Sequence, residues 1–274
     1  MTDWDEAFSN AAFIPGSNRW PDAWNAPAAA YRADMVAAGR AQLDLSYGAN
    51  PRQRFDLFLP TASPRGLLVF VHGGYWLAFD KSSWSHFAGG AVARGYAVAM
   101  PSYRLCPEVR IATIAGDIAD AVAAAAALVD GPLLLAGHSA GGQLVARLAT
   151  TTTPLAPPLQ QRLRRVTPIS GLHELMPLLR TKMNVTLRLD AGEALRESPA
   201  LLMPLPGVTV TAWVGADERP EFLRQSALLD SVWPHVKLHR ARGRHHFNVL
   251  DPLVEPRSGL TNAILGASTP RRRN

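Results

Sequence analysis

The chain has 274 residues, 47% of them hydrophobic, which is enough for one domain with a full core, and no low-complexity linker or internal repeat divides it. Its formal charge of +6 is spread over arginines at 162, 164 and 165, at 240, 242 and 244, and at 271 to 273, and with no recognition module beside them they read as a solvated surface rather than a nucleic-acid interface. A single cysteine, Cys106, excludes an internal disulfide, no apolar run approaches the roughly 20 residues of a membrane span, and the N-terminus has no signal-peptide pattern, so a cytoplasmic chain acting on a small molecule is expected.

Taken in chain order, residues 1–38 carry Trp4, Trp20 and Trp24 among prolines and small residues and lack strand alternation; they are expected to form a flap. Strand-like runs at 42–46 and 54–59 have no helix between them, only Tyr47-Gly48-Ala49-Asn50-Pro51, which predicts an antiparallel hairpin at one sheet edge. Apolar runs then recur at 67–71, 97–100, 133–136, 165–169, 208–214 and 236–239, with helical patterns at 83–94, 113–129 and 221–232 between them. Strands alternating with helices of that length imply βαβ crossovers, hence an α/β fold with a mostly parallel sheet of about eight strands and helices on both faces. The interval 173–206 is expected to roof a pocket as a small cap, within one domain spanning the chain.

Gly137-His138-Ser139-Ala140-Gly141 follows the buried run at 133–136 and precedes an apolar-striped helical pattern at 143–150. A Gly-x-Ser-x-Gly in that context places the serine on a sharp strand-to-helix turn, where small neighbours let the backbone strain and Oγ stand clear of the sheet. Serine is a weak nucleophile, so it needs a base, an acid to orient that base, and donors for the oxyanion. His246, in Arg244-His245-His246-Phe247 after the last predicted strand, stands where the base would fall in the chain order serine, acid, histidine. The acid should follow the preceding strand, where Gly215-Ala216-Asp217-Glu218 offers two carboxylates, and these residues alone leave Asp217 and Glu218 both open. Val71-His72-Gly73-Gly74-Tyr75-Trp76 follows another buried run; its Gly73 and Gly74 N–H groups, with that of Ala140, are the candidate oxyanion donors, and His72 is expected to shape the loop. No metal is expected, because the histidines lack ligand spacing, and no nucleotide cofactor, because no phosphate-binding glycine loop is present.

With His72-Gly73-Gly74-Tyr75-Trp76 and Gly137-His138-Ser139-Ala140-Gly141 together, the chain resembles the α/β-hydrolase superfamily, and within it the kynurenine formamidase (arylformamidase) group. The likeness runs through Tyr103-Arg104-Leu105-Cys106-Pro107, through Glu221-Phe222 after the acid, and to His246-Phe247. It implies Glu218 as the acid, by its place three residues after Gly215 and three before Glu221, although the group more often has aspartate there; it also implies His246 over His245. It further implies hydrolysis of a formyl aryl amide such as N-formylkynurenine without cofactor, with Tyr75 and Trp76 bounding a tight acyl pocket, or a carboxylesterase acting on short acyl or aryl esters. Homodimer formation is left open.

Overall fold

In the computed structural model, which describes residues 2–267, eight strands form one sheet. They are β1 (Ala41–Ser46), β2 (Arg54–Phe58), β3 (Leu67–Val71), β4 (Ala97–Pro101), β5 (Leu133–His138), β6 (Leu163–Ile169), β7 (Thr209–Gly215) and β8 (Lys237–Ala241), in the order β1-β2-β4-β3-β5-β6-β7-β8. The β1–β2 hairpin lies at the edge as expected, and β2 pairs antiparallel with β4. From β4 onward every neighbouring pair is parallel. The arginines at 271 to 273 lie outside the described residues.

Period-two alternation in the central strands feeds two separate cores. Leu67, Val69 and Val71 of β3, with Leu133 and Leu135 of β5, face a layer containing Ile114 and Ile118 of the helix Ile111–Ala126, Leu144 of Ala140–Leu148, and Phe222 and Leu229 of Pro220–Val232. Leu68 and Phe70, with Leu134 and Ala136, face the other layer, where Trp24, Trp84, Leu260 and Ile264 pack. Both faces of β3 and β5 are buried, which is why these strands read as unbroken apolar runs.

One local departure from the sequence reading has a physical cause. The expected helix at 83–94 is a 3₁₀ segment, Lys81–Ala88, capped by Asp80 on the Ser82 N–H, followed by a short α-helix, Gly89–Ala93. Gly90 lies so close to the backbone that a Cβ would sit 2.3 Å from the Leu253 carbonyl oxygen. Much of the N-terminal segment is helical, including Trp4–Ala7 and Trp20–Ala37, and the latter packs on the 3₁₀ segment through Trp24 and Trp84. The interval 173–206 is a series of short helices, Met176–Arg180, Asn184–Leu187, Ala191–Arg196 and Pro199–Leu201. Arg110 ties it to the domain through Asp190 and Glu193.

Candidate active site

The turn after β5 is built by exclusion of side chains. A Cβ on Gly137 would lie 2.2 Å from the Gly141 carbonyl oxygen, and one on Gly141 would lie 2.1 Å from that of Val71. Only glycine lets β3, β5 and the helix Ala140–Leu148 approach so closely. The result is Ser139 at φ 55° and ψ −117°, a strained conformation for a residue with a side chain. Its N–H is held by the Ile169 carbonyl at 2.8 Å.

Ser139 Oγ lies 3.1 Å from His246 Nε2, and His246 Nδ1 lies 2.7 Å from Glu218 Oε2. A carboxylate only accepts, so Nδ1 carries the hydrogen and Nε2 presents its lone pair to the Ser139 hydroxyl. Glu218 Oε1 accepts from the Gly215 N–H at 2.8 Å and from the Ser170 hydroxyl. The structure therefore separates the two candidate acids: Glu218 is buried against the imidazole, whereas Asp217 is exposed and has its backbone N–H on the Arg244 carbonyl. His245 turns away to pack edge-on against Trp20, and its Nδ1 accepts the Phe247 N–H.

Two supporting residues escaped the sequence reading. His138 Nε2 donates to the His246 carbonyl at 2.9 Å, with the two rings 4.7 Å apart, so it fixes the backbone that carries the histidine. Burial holds its pKa well below the usual histidine range, with the neighbouring His246 adding to the effect, and His138 is a neutral donor. Ser170 follows β6 with a φ of 52°. The only local signal for it was its position one residue past a parallel strand, in the layer where sites collect. His72 shapes its loop as expected: Nδ1 donates to the Gly73 carbonyl at 2.7 Å, and burial lowers its pKa to about 4.

The glycine loop after β3 comes against this turn. Gly73 sits behind Ser139, where a Cβ would stand 3.0 Å from the serine Cβ, and Gly74 lines the cavity. The N–H groups of Gly74 and Ala140 donate to no backbone acceptor among the described residues. Tyr75 also lines the cavity, its hydroxyl donating to the Phe8 carbonyl. Trp76 does not. Expected to bound the acyl pocket, it is instead fully buried in the core, with Nε1 donating to Gln143 Oε1 at 3.1 Å. The indole N–H finds its acceptor in the side chain of Gln143, itself fully buried, and the ring packs in the core among apolar side chains, so the side chain is held away from the cavity.

The cavity over Ser139 measures about 400 Å³. Its walls include Phe8, Trp24, Phe79, Trp84 and Phe247, with Trp24 stacked at a tilt on Trp84 at 4.7 Å and edge-on to Phe247 at 5.4 Å. Among the described residues no group of histidine, cysteine and carboxylate side chains could hold a metal ion, and no helix is long and apolar enough to cross a membrane.

The strained turn that carries Ser139 at the end of β5 of a mostly parallel eight-stranded sheet defines a fold that the sequence also shows: residues 68–212 match the family described as the alpha/beta hydrolase fold, and the chain belongs to it. It is a hydrolase, similar to the kynurenine formamidases of Salmo salar (28% identity over 84% of this chain and 83% of that one) and Danio rerio (27% over 81% and 80%). A provisionally named thioesterase from Silicibacter sp. tm1040 has a solved structure that superposes with a TM-score of 0.93 at 50% identity, covering 96% of this chain and 99% of that one.

Proposed function

We propose that this hydrolase removes a formyl group from an aryl amide such as N-formylkynurenine through Ser139, His246 and Glu218, in a cytoplasmic setting. The observation that carries the reading is the hydrogen-bonded chain from Ser139 Oγ through His246 to Glu218 at the floor of a cavity walled by aromatic rings. His246 Nε2 takes the Ser139 proton as Oγ attacks the formyl carbon, and the oxyanion is received by the N–H groups of Gly73, Gly74 and Ala140. Glu218 stabilises the imidazolium, which then protonates the departing aryl amine nitrogen as the C–N bond breaks. Water, deprotonated by the same nitrogen, cleaves the formyl-serine and restores the enzyme. The aromatic walls suit an aryl leaving group, and the similarity to two kynurenine formamidases supports the amide reading.

The second reading is an esterase for short acyl or aryl esters, supported by the thioesterase name of the 50% identical Silicibacter protein. Rates on N-formylkynurenine and on 4-nitrophenyl acetate separate the two. A high ester rate beside a negligible formamide rate would rule out the first. Ser139→Ala should abolish both activities, and retained turnover would refute the nucleophile assignment.

A further inference from the structure

The cavity over Ser139 is walled largely by aromatic rings; apart from His138, Ser139 and His246, and from Tyr75 and Thr181, its polar lining lies on the side of the N-terminal segment, at Asp5, Ser9 and Asn10. Asp5 is the only carboxylate among the described residues that line it. Its Oδ1 accepts the Lys182 N–H at 2.7 Å, while Oδ2 stands 3.9 Å from the Lys182 ammonium, on a side chain that is 93% exposed. An ion pair that long and that wet contributes little, and leaves most of the carboxylate's charge available to another partner. Asn10 lies on the same side, 6% exposed, and neither its Oδ1 nor its Nδ2 meets a partner among the described residues. Buried amides are ordinarily hydrogen-bonded, so this one is an unspent donor and acceptor beside the lone carboxylate.

We propose that the N-terminal segment selects aromatic substrates carrying an ammonium group, with Asp5 as the counter-ion and Asn10 as the neutral partner for the same polar head. It rests on the cavity being the substrate site of the hydrolase. The division of labour follows from solvation: the aryl group fills the space between Trp24, Phe79 and Phe247, and the ammonium, which would lose water on entering, recovers a charge partner at Asp5. The rings of Phe8 and Trp24 add favourable faces for a cation close to the same segment. A neutral ester can enter but gains nothing from Asp5. The segment is a specificity element, while the chemistry belongs to Ser139 and His246.

The test is calorimetry with two ligands on protein in which Ser139→Ala prevents turnover: kynurenine, and the counterpart in which hydrogen replaces the α-ammonium. Asp5→Asn is then added; it keeps an oxygen for the Lys182 N–H, so the segment stays docked while the charge is removed. Kynurenine should bind more tightly than its counterpart, and Asp5→Asn should weaken kynurenine about tenfold while moving the counterpart less than about twofold. Raising the salt concentration should narrow the gap between the two ligands. Equal affinities before substitution, equal weakening of both ligands, or no binding of kynurenine would each overturn the proposal. The formamide reading is decided separately, by turnover of N-formylkynurenine on the unsubstituted enzyme. An enzyme that hydrolyses only esters but ranks the two ligands through Asp5 would keep the ammonium site and lose the formamide.

Discussion

Ser170 turns its hydroxyl onto Glu218 Oε1, the carboxylate oxygen that His246 leaves free. With the Gly215 N–H on the same oxygen, the carboxylate is gripped from behind and aimed at Nδ1. Ser170→Ala is expected to lower kcat about three- to tenfold, the equivalent of one hydrogen bond of about 1 kcal/mol, with the fold intact by circular dichroism. An unchanged kcat would show that Gly215 alone holds the acid.

The two neighbouring carboxylates should separate sharply in kinetics. Glu218→Gln leaves His246 Nδ1 facing an amide and is expected to reduce kcat on the order of 10²- to 10⁴-fold. Asp217→Asn changes an exposed side chain and should leave kcat within about twofold. The reverse order would reassign the acid.

Trp76 should behave as a core residue. Trp76→Phe loses the Nε1 bond to Gln143 and some packing volume, so the melting temperature should fall by several degrees for a loss of about 1–2 kcal/mol. KM should hold steady, whereas a rise in KM without loss of stability would return Trp76 to the pocket wall.

At Gly141 one methyl group is expected to be enough to disrupt the fold. Its Cβ would sit 2.1 Å from the Val71 carbonyl and 2.5 Å from that of His72, both backbone atoms that cannot swing aside. Gly141→Ala should therefore cost several kcal/mol, read as a large drop in melting temperature or as insoluble protein.

Acid should destabilise the protein through histidines buried in the neutral form. Burial alone lowers His173 to about 3, and burial chiefly lowers His72 to about 4, so in the folded state both resist protonation that the unfolded chain accepts near pH 6.5. The unfolded state thus binds more protons below that pH. Stability is complete above about pH 6.5 and is lost as pH falls toward 4, by up to about 1.4 kcal/mol per pH unit for each histidine. His173 has no hydrogen-bond partner for either ring nitrogen among the described residues. His173→Gln should flatten the decline of melting temperature between pH 6.5 and 4, and an unaltered slope would contradict this account.

Much of the architecture was legible in the chain because its signals are short-range. Short unbroken apolar runs at 67–71 and 133–136, set between helical patterns, specify buried parallel strands, and the small residues from Gly137 to Gly142 specify the turn that strains Ser139. The break between Lys81–Ala88 and Gly89–Ala93 was not legible, because the constraint on Gly90 comes from the Leu253 carbonyl far along the chain.

Sequence by itself determined the α/β class, the Ser139 turn and the glycine loop, since each is encoded within a few consecutive residues. Tertiary structure decided what those residues face. It set Glu218 rather than Asp217 against His246, placed Ser170 and His138 behind them, turned Trp76 into the core, and brought Asp5 and Asn10 to a cavity whose serine lies more than a hundred positions away. Backbone torsions follow from local sterics, but which of two adjacent carboxylates is buried depends on what the rest of the chain packs against it.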